Sequence, residues 1–384
     1  MKLANIHNEL KVAISISRLS RDKGFSLIEL LVGLVIGALV SLVIMNVFSV
    51  FEGEKRTTMG GADAQTSGNI ALYNISRDIQ QAGFGMPVTV AGGENSIFKC
   101  SNVAQNGALP DLNVNEFSPI VITNGATDLG DTISVRYSNN QTGGLPTKIQ
   151  SRVAATLTVD NRMGCNNGEL AMQVSDDAPT PSCILQPIQS TAASATPPYS
   201  TVTLLDDTKL KNNGYLYCIG QWNNFTYQVK ETAAGSAKFD LNRQITRITS
   251  AGAVATSNVT IAPEVVSMQA QYGVSAAGSS NTITLWTDAT GIWAPGTLTA
   301  ANRNRIKAVR IAIATRNPLR EKNAVTANAC ITMYGDCTNA ASVAAIANGA
   351  LQLDVSDAAA DWQNYRYRVY ETVIPVRNAI WTKF

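Results

Sequence analysis

The residue types that most often do chemistry are sparse in this chain. Among 384 residues there is one histidine, His7, and it lies in a basic leader. Ser-His-Asp triads, Cys-His pairs and histidine-ligated zinc are therefore excluded for everything downstream of it. Asp176-Asp177 and Asp206-Asp207 are acid pairs that could hold calcium or share a proton. Both lie in loop-like sequence, where a solvated turn carboxylate is the ordinary outcome. No G-x-x-x-x-G-K-[ST], H-E-x-x-H, G-x-S-x-G or EF-hand pattern occurs. The expectation is a protein that is not an enzyme and holds neither metal nor cofactor.

Six cysteines remain: Cys100, Cys165, Cys183, Cys218, Cys330 and Cys337. None forms a CxxC pair, and an even number at irregular spacing beyond a membrane segment predicts disulfides rather than metal ligation. Cys330 and Cys337 bracket the short loop CITMYGDC and are expected to pair. Cys100, Cys165, Cys183 and Cys218 allow three connectivities, which spacing does not rank. The last chemical oddity is Glu29, five residues into an apolar run from Phe25 to Phe51. An ionisable group at the centre of a bilayer costs about 3 kcal/mol and usually marks function.

The elements that must position these groups begin with that run. As a helix, its 27 residues span about 40 Å, more than a hydrocarbon core of about 30 Å. It is too long for a secretory signal and ends at no small-residue cleavage site. Arg21 and Lys23 before it predict a cytoplasmic leader and an exported body. Net charge is +2 overall, and residues 1–24 hold Lys2, Lys11, Arg18, Arg21 and Lys23 against Glu9 and Asp22. The remainder is close to neutral, which argues against nucleic-acid binding by charge. Gly33, Gly37 and Ser41 form a small-residue stripe that would let membrane helices approach closely.

Beyond Phe51, Leu72, Ile75, Ile79 and Ala82 recur at helical spacing, with Arg77, Asp78 and Gln80 assigned to other faces. Gly83, Gly85 and Pro87 then read as a helix stop. The expectation is one long helix from Phe25 to Ala82, loosened at Gly60-Gly61. The rest reads as β-rich: PIVITN, DTISVRYS, STVTLL, YLYCIG and FTYQVKET are β-branched or aromatic runs between turn residues. In VRIAIATR, Val309, Ile311 and Ile313 share one face while Arg310 and Arg316 share the other. YRYRVYETVIPVRN alternates until Pro375, which suits an edge strand with Arg366 and Arg368 on its exposed face. Residues 190–201 read as a low-complexity loop, and 139–215 as an insertion or small subdomain. The fold class expected is α+β: a long amino-terminal helix, half membrane and half amphipathic, packed on an antiparallel β-rich head.

KGFSLIEL, residues 23–30, resembles the processing motif of type IV prepilins and pseudopilins. IAPEVVSMQAQYGVS (261–275), IKAVRIAIATRN (306–317) and YRYRVYETVIPVRN (365–378) resemble the carboxy-terminal segments of PilW-type minor pilins, and QAGFG at the helix end is similar too. Residues 95–255 carry no such likeness. The resemblance implies cleavage by a prepilin peptidase between Gly24 and Phe25, N-methylation of Phe25, and a Glu29 that attracts the amino terminus of a neighbouring subunit. It implies three segments: leader 1–24, helix 25–83 with 25–51 in the membrane, and head 84–384. The family lacks its frequent proline here, since residues 25–86 contain none.

The function so implied is a minor pilin that primes assembly of a type IV pilus, enters it in low copy near the tip, and supports twitching and adhesion. Its partners would be other minor pilins, the major pilin, the prepilin peptidase, the inner-membrane assembly platform and a tip adhesin. Its place would be the inner membrane with the head in the periplasm, and the surface pilus after assembly. Two other readings share the anchor: a minor pseudopilin of a type II secretion system, and a membrane-tethered surface-binding module.

Overall fold

The computed structural model describes residues 24–86, 102–105, 112–113, 118–125, 130–140, 142, 144–176, 182–196, 198–331, 351 and 353–378. The chain divides into two compact units, residues 1–56 and 57–384. One helix, α1 (Leu27–Gln81), runs through both sequence ranges. It is continuous across Gly60-Gly61, so the expected loosening there is absent. Instead, a Cβ on Gly60 would meet the Asn317 side chain at 2.0 Å; the glycine is a seat, not a hinge.

In the first unit every described residue from Gly24 to Phe51 is exposed, including the whole apolar window. In the second, α1 buries Gly60, Ala64, Ser67, Gly68, Ala71, Ile75, Asp78 and Ile79. These residues recur every three or four positions, one stripe of a helix. Its upper part is small, so the neighbouring strands approach the backbone closely; its lower part is aliphatic.

The first strands are β1 (Asn102–Ala104), β2 (Leu112–Asn113), β3 (Ile120–Thr123), β4 (Thr132–Ser138) and β5 (Pro146–Val153). Then come β6 (Thr156–Val159), β7 (Leu170–Val174), β8 (Cys183–Ala193), β9 (Ser200–Leu204) and β10 (Tyr215–Gly220). The second half holds β11 (Trp222–Glu231), β12 (Phe239–Ile248), β13 (Val254–Pro263), β14 (Val265–Ser275) and β15 (Ile283–Thr287). After the short α2 (Ala300–Arg305) follow β16 (Ile306–Arg316), β17 (Cys330–Ile331), β18 (Leu353–Asp354) and β19 (Tyr367–Pro375).

Two antiparallel sheets carry α1: five strands ordered β13-β12-β11-β4-β3 and four ordered β15-β14-β16-β19. Ala71, Ile75 and Ile79 of the helix share one core with Ile122, Ile133 and Tyr227 of the first sheet and with Tyr272, Ile311 and Ile374 of the second. Leu72 packs against that core from its rim. β19 is an edge strand ending at Pro375, and Arg366 and Arg368 are exposed, as its alternation predicted.

β16 differs from its sequence pattern because it is central and buried on both faces. Val309, Ile311 and Ile313 enter the main core, while Ala312 and Ala314 enter a second one. The arginines survive burial through partners. Arg316 pairs with Glu264 at 2.8 Å and lies over the Tyr365 ring. Arg310 donates to Gln271, lies 3.7 Å from Glu371 and stacks on Trp286.

The remaining sheet is ordered β2-β1-β8-β7-β10-β5-β6-β9, and an additional β8–β9 pairing joins its last strand back to its third. Six strands thus close into a barrel. All six supply residues to one core, among them Ile149, Leu157, Ala171, Ile184, Val202 and Leu216. Neighbours such as Met172, Leu185 and Tyr217 belong to a separate cluster with Met86 and Trp222, the inside-outside alternation of a small barrel. Closure also explains why 190–201 is not a loop throughout. Thr191, Ala192 and Ala193 pair with Val202, Thr201 and Ser200. Ala and Ser have modest strand preference, and the pairing overrides it.

Candidate assembly site

The amino-terminal helix starts at Leu27 with Ser26 preceding it, and Leu30 N–H donates to the Ser26 carbonyl at 3.1 Å. Ser26 N–H in turn donates to Glu29 Oε2 at 3.1 Å. This is the carboxylate half of a capping box, S-x-x-E, in which an acid in the first turn satisfies a backbone donor that the helix leaves unpaired. A negative charge there also complements the helix dipole. Glu29 therefore has a local duty that spacing alone did not suggest, although the S-x-x-E signature was present in the sequence.

Phe25 is 85 % exposed, and the side chains from Leu27 to Phe51 present a continuous apolar surface. Such a surface requires lipid or other helices around it. Gly33 and Gly37 have open space where a Cβ would be. Ser41 Oγ donates to the Gly37 carbonyl at 2.8 Å, which satisfies the hydroxyl within its own helix. The stripe is thus accessible and free of polar demands on a neighbour.

In the second unit, Asp78 joins the helix to the five-stranded sheet. The sequence put it on a polar face; it lies on the buried stripe, three residues after Ile75. Tyr137 Oη donates to its Oδ1 at 3.2 Å, Tyr227 Oη donates to its Oδ2, and Arg243 Nη1 reaches Oδ2 at 3.4 Å. Arg243 is itself held over the Phe225 ring at 4.7 Å. Burial, reinforced by the adjacent Asp78 carboxylate, pushes both tyrosine hydroxyls above their ordinary range, so they remain donors at any physiological pH. The end of α1 is closed by a distant residue: Asn378 Nδ2 donates to the Ala82 carbonyl at 2.9 Å and to that of Gln81 at 3.3 Å. Gly83 and Gly85, both at positive φ, turn the chain away.

Asp131 links the two sheets. Its N–H donates to the Met268 carbonyl, and its carboxylate accepts from Gly125 N–H at 3.0 Å and Ala270 N–H at 2.8 Å. Burial pushes its carboxyl up to about 6 despite those donors.

Cys165 and Cys218 form a disulfide across the barrel core. Cys183 and Cys330 are disulfide-bonded as well, while Cys100 and Cys337 lie outside the described residues. Asp177 also lies outside them. Asp206 Oδ1 accepts from Thr208 N–H, a turn role. Among the described residues no three His, Cys, Asp or Glu side chains cluster as a metal site would need. A hollow of about 430 Å3 is lined by Asn139, Asn140, Thr142, Gly164, Asn166 and Glu169. Asn140 donates to the Gly164 carbonyl and Asn166 to Glu169, so these groups largely satisfy one another.

Residues 19–45 match the prokaryotic N-terminal methylation motif, and residues 226–378 match the family of Type IV Pilus-assembly protein W. The second match covers β12 to β19 and part of β11, beginning upstream of the segments at 261–378 that carried the likeness in the sequence. The barrel strands lie outside it. No curated protein matches the chain, and no solved structure does. The described part of the methylation motif lies on an exposed apolar helix, and the second match holds the four-stranded sheet and most of β11 to β13, which help to seat that helix's second half. Residues 226–378 thus carry the PilW family's domain behind an N-terminal methylation motif, and together they make the chain a type IV pilus component.

Proposed function

We propose that the chain is a non-catalytic minor pilin that primes type IV pilus assembly and enters the filament in low copy near the tip, supporting twitching and adhesion. The observation that carries this reading is the pairing of the methylation motif with the PilW match in one chain. Cleavage falls between Gly24 and Phe25, the Phe25 amine is methylated, and the helix from Phe25 to Phe51 packs laterally in the filament core with Gly33, Gly37 and Ser41 at helix contacts. Residues 1–24 are the leader, 25–83 the anchor helix and 84–384 the exported head, with 139–215 an insertion that adds barrel strands. Before assembly the head lies in the periplasm; afterwards it is on the cell surface.

Glu29 would serve twice. One carboxylate oxygen caps its own helix, and the other meets the charged amine of a neighbouring Phe25, each offsetting the other's cost in lipid. The other minor pilins, the major pilin, the prepilin peptidase, the assembly platform and a tip adhesin are the partners. Deleting the gene tests this: surface pili in sheared fractions should fall sharply while type II secretion continues. Normal pili with failed secretion would make the chain a pseudopilin, and normal pili with normal secretion would leave it a tethered surface module.

A further inference from the structure

β13 is an edge of the five-stranded sheet and pairs on one side only, with β12. Val254 to Thr260 lie opposite Ile248 to Asn242 in unbroken register, and every one of those seven β13 residues is exposed, on both faces. Residues 254–263 carry no charge, and their one proline is Pro263 at the strand's end. Among the described residues no hydrogen bond from a further element engages this backbone.

Folded sheets normally blunt such an edge, because its unpaired N–H and C=O groups recruit other strands. This chain does so elsewhere. β19 carries Arg368 and Glu371, β3 has only four residues, and the β8–β9 pairing closes the barrel. β15, the remaining edge of the four-stranded sheet, is half the length of β13. Among the described strands, a ten-residue neutral edge left open is the exception.

We propose that the β13 edge receives an extended strand from another pilus subunit. The added strand would be held by main-chain hydrogen bonds, with side-chain fit supplying selectivity. One face of β13 offers Thr256, Asn258 and Thr260, so the incoming strand carries hydroxyl or small β-branched residues there. Arg247 of β12 is exposed and lies opposite Ala255, whose small side chain leaves the guanidinium uncovered. The partner strand is accordingly uncharged except for one acidic residue facing Arg247. This rests on the reading that the chain joins other pilus subunits.

The test uses the full chain in its own piliated cells, with a photo-cross-linking side chain in place of Asn258. Adducts are isolated and both linked peptides sequenced by mass spectrometry. The expected product joins β13 to a pilus subunit other than itself, and Thr256→Lys lowers its yield about tenfold, whereas Ser257→Thr leaves it unchanged. Thr256 is exposed, so the lysine variant keeps its fold, which its unchanged disulfides would verify. An adduct to a second copy of this chain overturns the partner, and the absence of any adduct in cells whose piliation still requires the gene overturns the site. If deletion leaves piliation normal and the adduct is to a protein outside the pilus, the minor-pilin reading fails together with the site.

Discussion

Asp78 lends itself to a quantitative test because its partners differ in how well water could replace it. In Asp78→Ala, Tyr227 has no access to solvent, so its hydroxyl loses its acceptor outright. A buried polar group left unpaired costs about 1–3 kcal/mol. The Arg243 side chain is 23 % exposed and regains part of its hydration, and Tyr137 is only partly buried. The expected loss is about 3 kcal/mol, or about 150-fold in the folded-to-unfolded ratio. The assay is urea unfolding of the full chain in micelles, followed by fluorescence of the buried Trp222 and Trp293. A double-mutant cycle sharpens it. Tyr227→Phe alone should cost about 1–2 kcal/mol, since it removes a hydrogen bond to a charged acceptor. In the Asp78→Ala background the same change should cost nothing or stabilise, because the hydroxyl is already stranded. The coupling should be about 2 kcal/mol. If Tyr227→Phe costs the same in both backgrounds, the carboxylate does not hold the helix to the sheet in the way described.

Four further outcomes follow from the same contacts. Asp131 carries a proton up to about pH 6 when folded but only to about 3.9 when unfolded. The folded state binds more protons between those values, so the stability that Asp131 contributes is fully present below about pH 4 and falls by about 3 kcal/mol as pH rises through 6; the difference between wild type and Asp131→Asn in urea titrations across pH should follow that slope. Gly68→Val should cost about 1–3 kcal/mol, because a Cβ there meets the Tyr370 ring at 2.3 Å, whereas Gly61→Ala, whose Cβ has only Arg368 at 3.7 Å, should stabilise by about 0.5–1 kcal/mol. Replacing Cys165 and Cys218 by serine opens a link across 53 residues and should weaken the barrel by about 4 kcal/mol on the loop-entropy argument, seen as earlier proteolysis within 146–220. Glu29→Ala should be cleaved as wild type in immunoblots yet recovered poorly in sheared filaments; normal recovery would remove Glu29 from assembly.

Much of the plan was legible because it is written in local periodicity. The apolar run, the Leu72/Ile75/Ile79 spacing, the edge proline of β19 and the Gly83–Gly85 stop each depend on residues within a few turns or one strand. What escaped depends on pairing at a distance. Asp78 reads as polar-face in a helix considered alone, and its burial makes sense only with Tyr137, Tyr227 and Arg243 in place. The arginines of β16 likewise suggest an outer face until Glu264, Tyr365 and Trp286 cover them. Barrel closure rests on β8 pairing with β9 through Ala and Ser residues that advertise a loop. Glu29 lies between these cases: its capping pattern was local and readable, but an acid in an apolar run drew attention to membrane chemistry first.

The seat of α1 has a consequence for the order in which the protein can be made. Tyr370 fills the hollow over Gly68, and Asn378 ties the carbonyls of Gln81 and Ala82, yet both follow the helix by about three hundred residues. A polypeptide emerging from its amino end exposes the apolar stripe of the helix long before the strand that covers it exists. Any chain interrupted before Tyr367 lacks that strand, leaving the helix around Gly68 without Tyr370 and the Gln81 and Ala82 carbonyls untied, open to chaperones and proteases. A shortened subunit therefore cannot complete the seat of its own helix, however well its earlier strands pair.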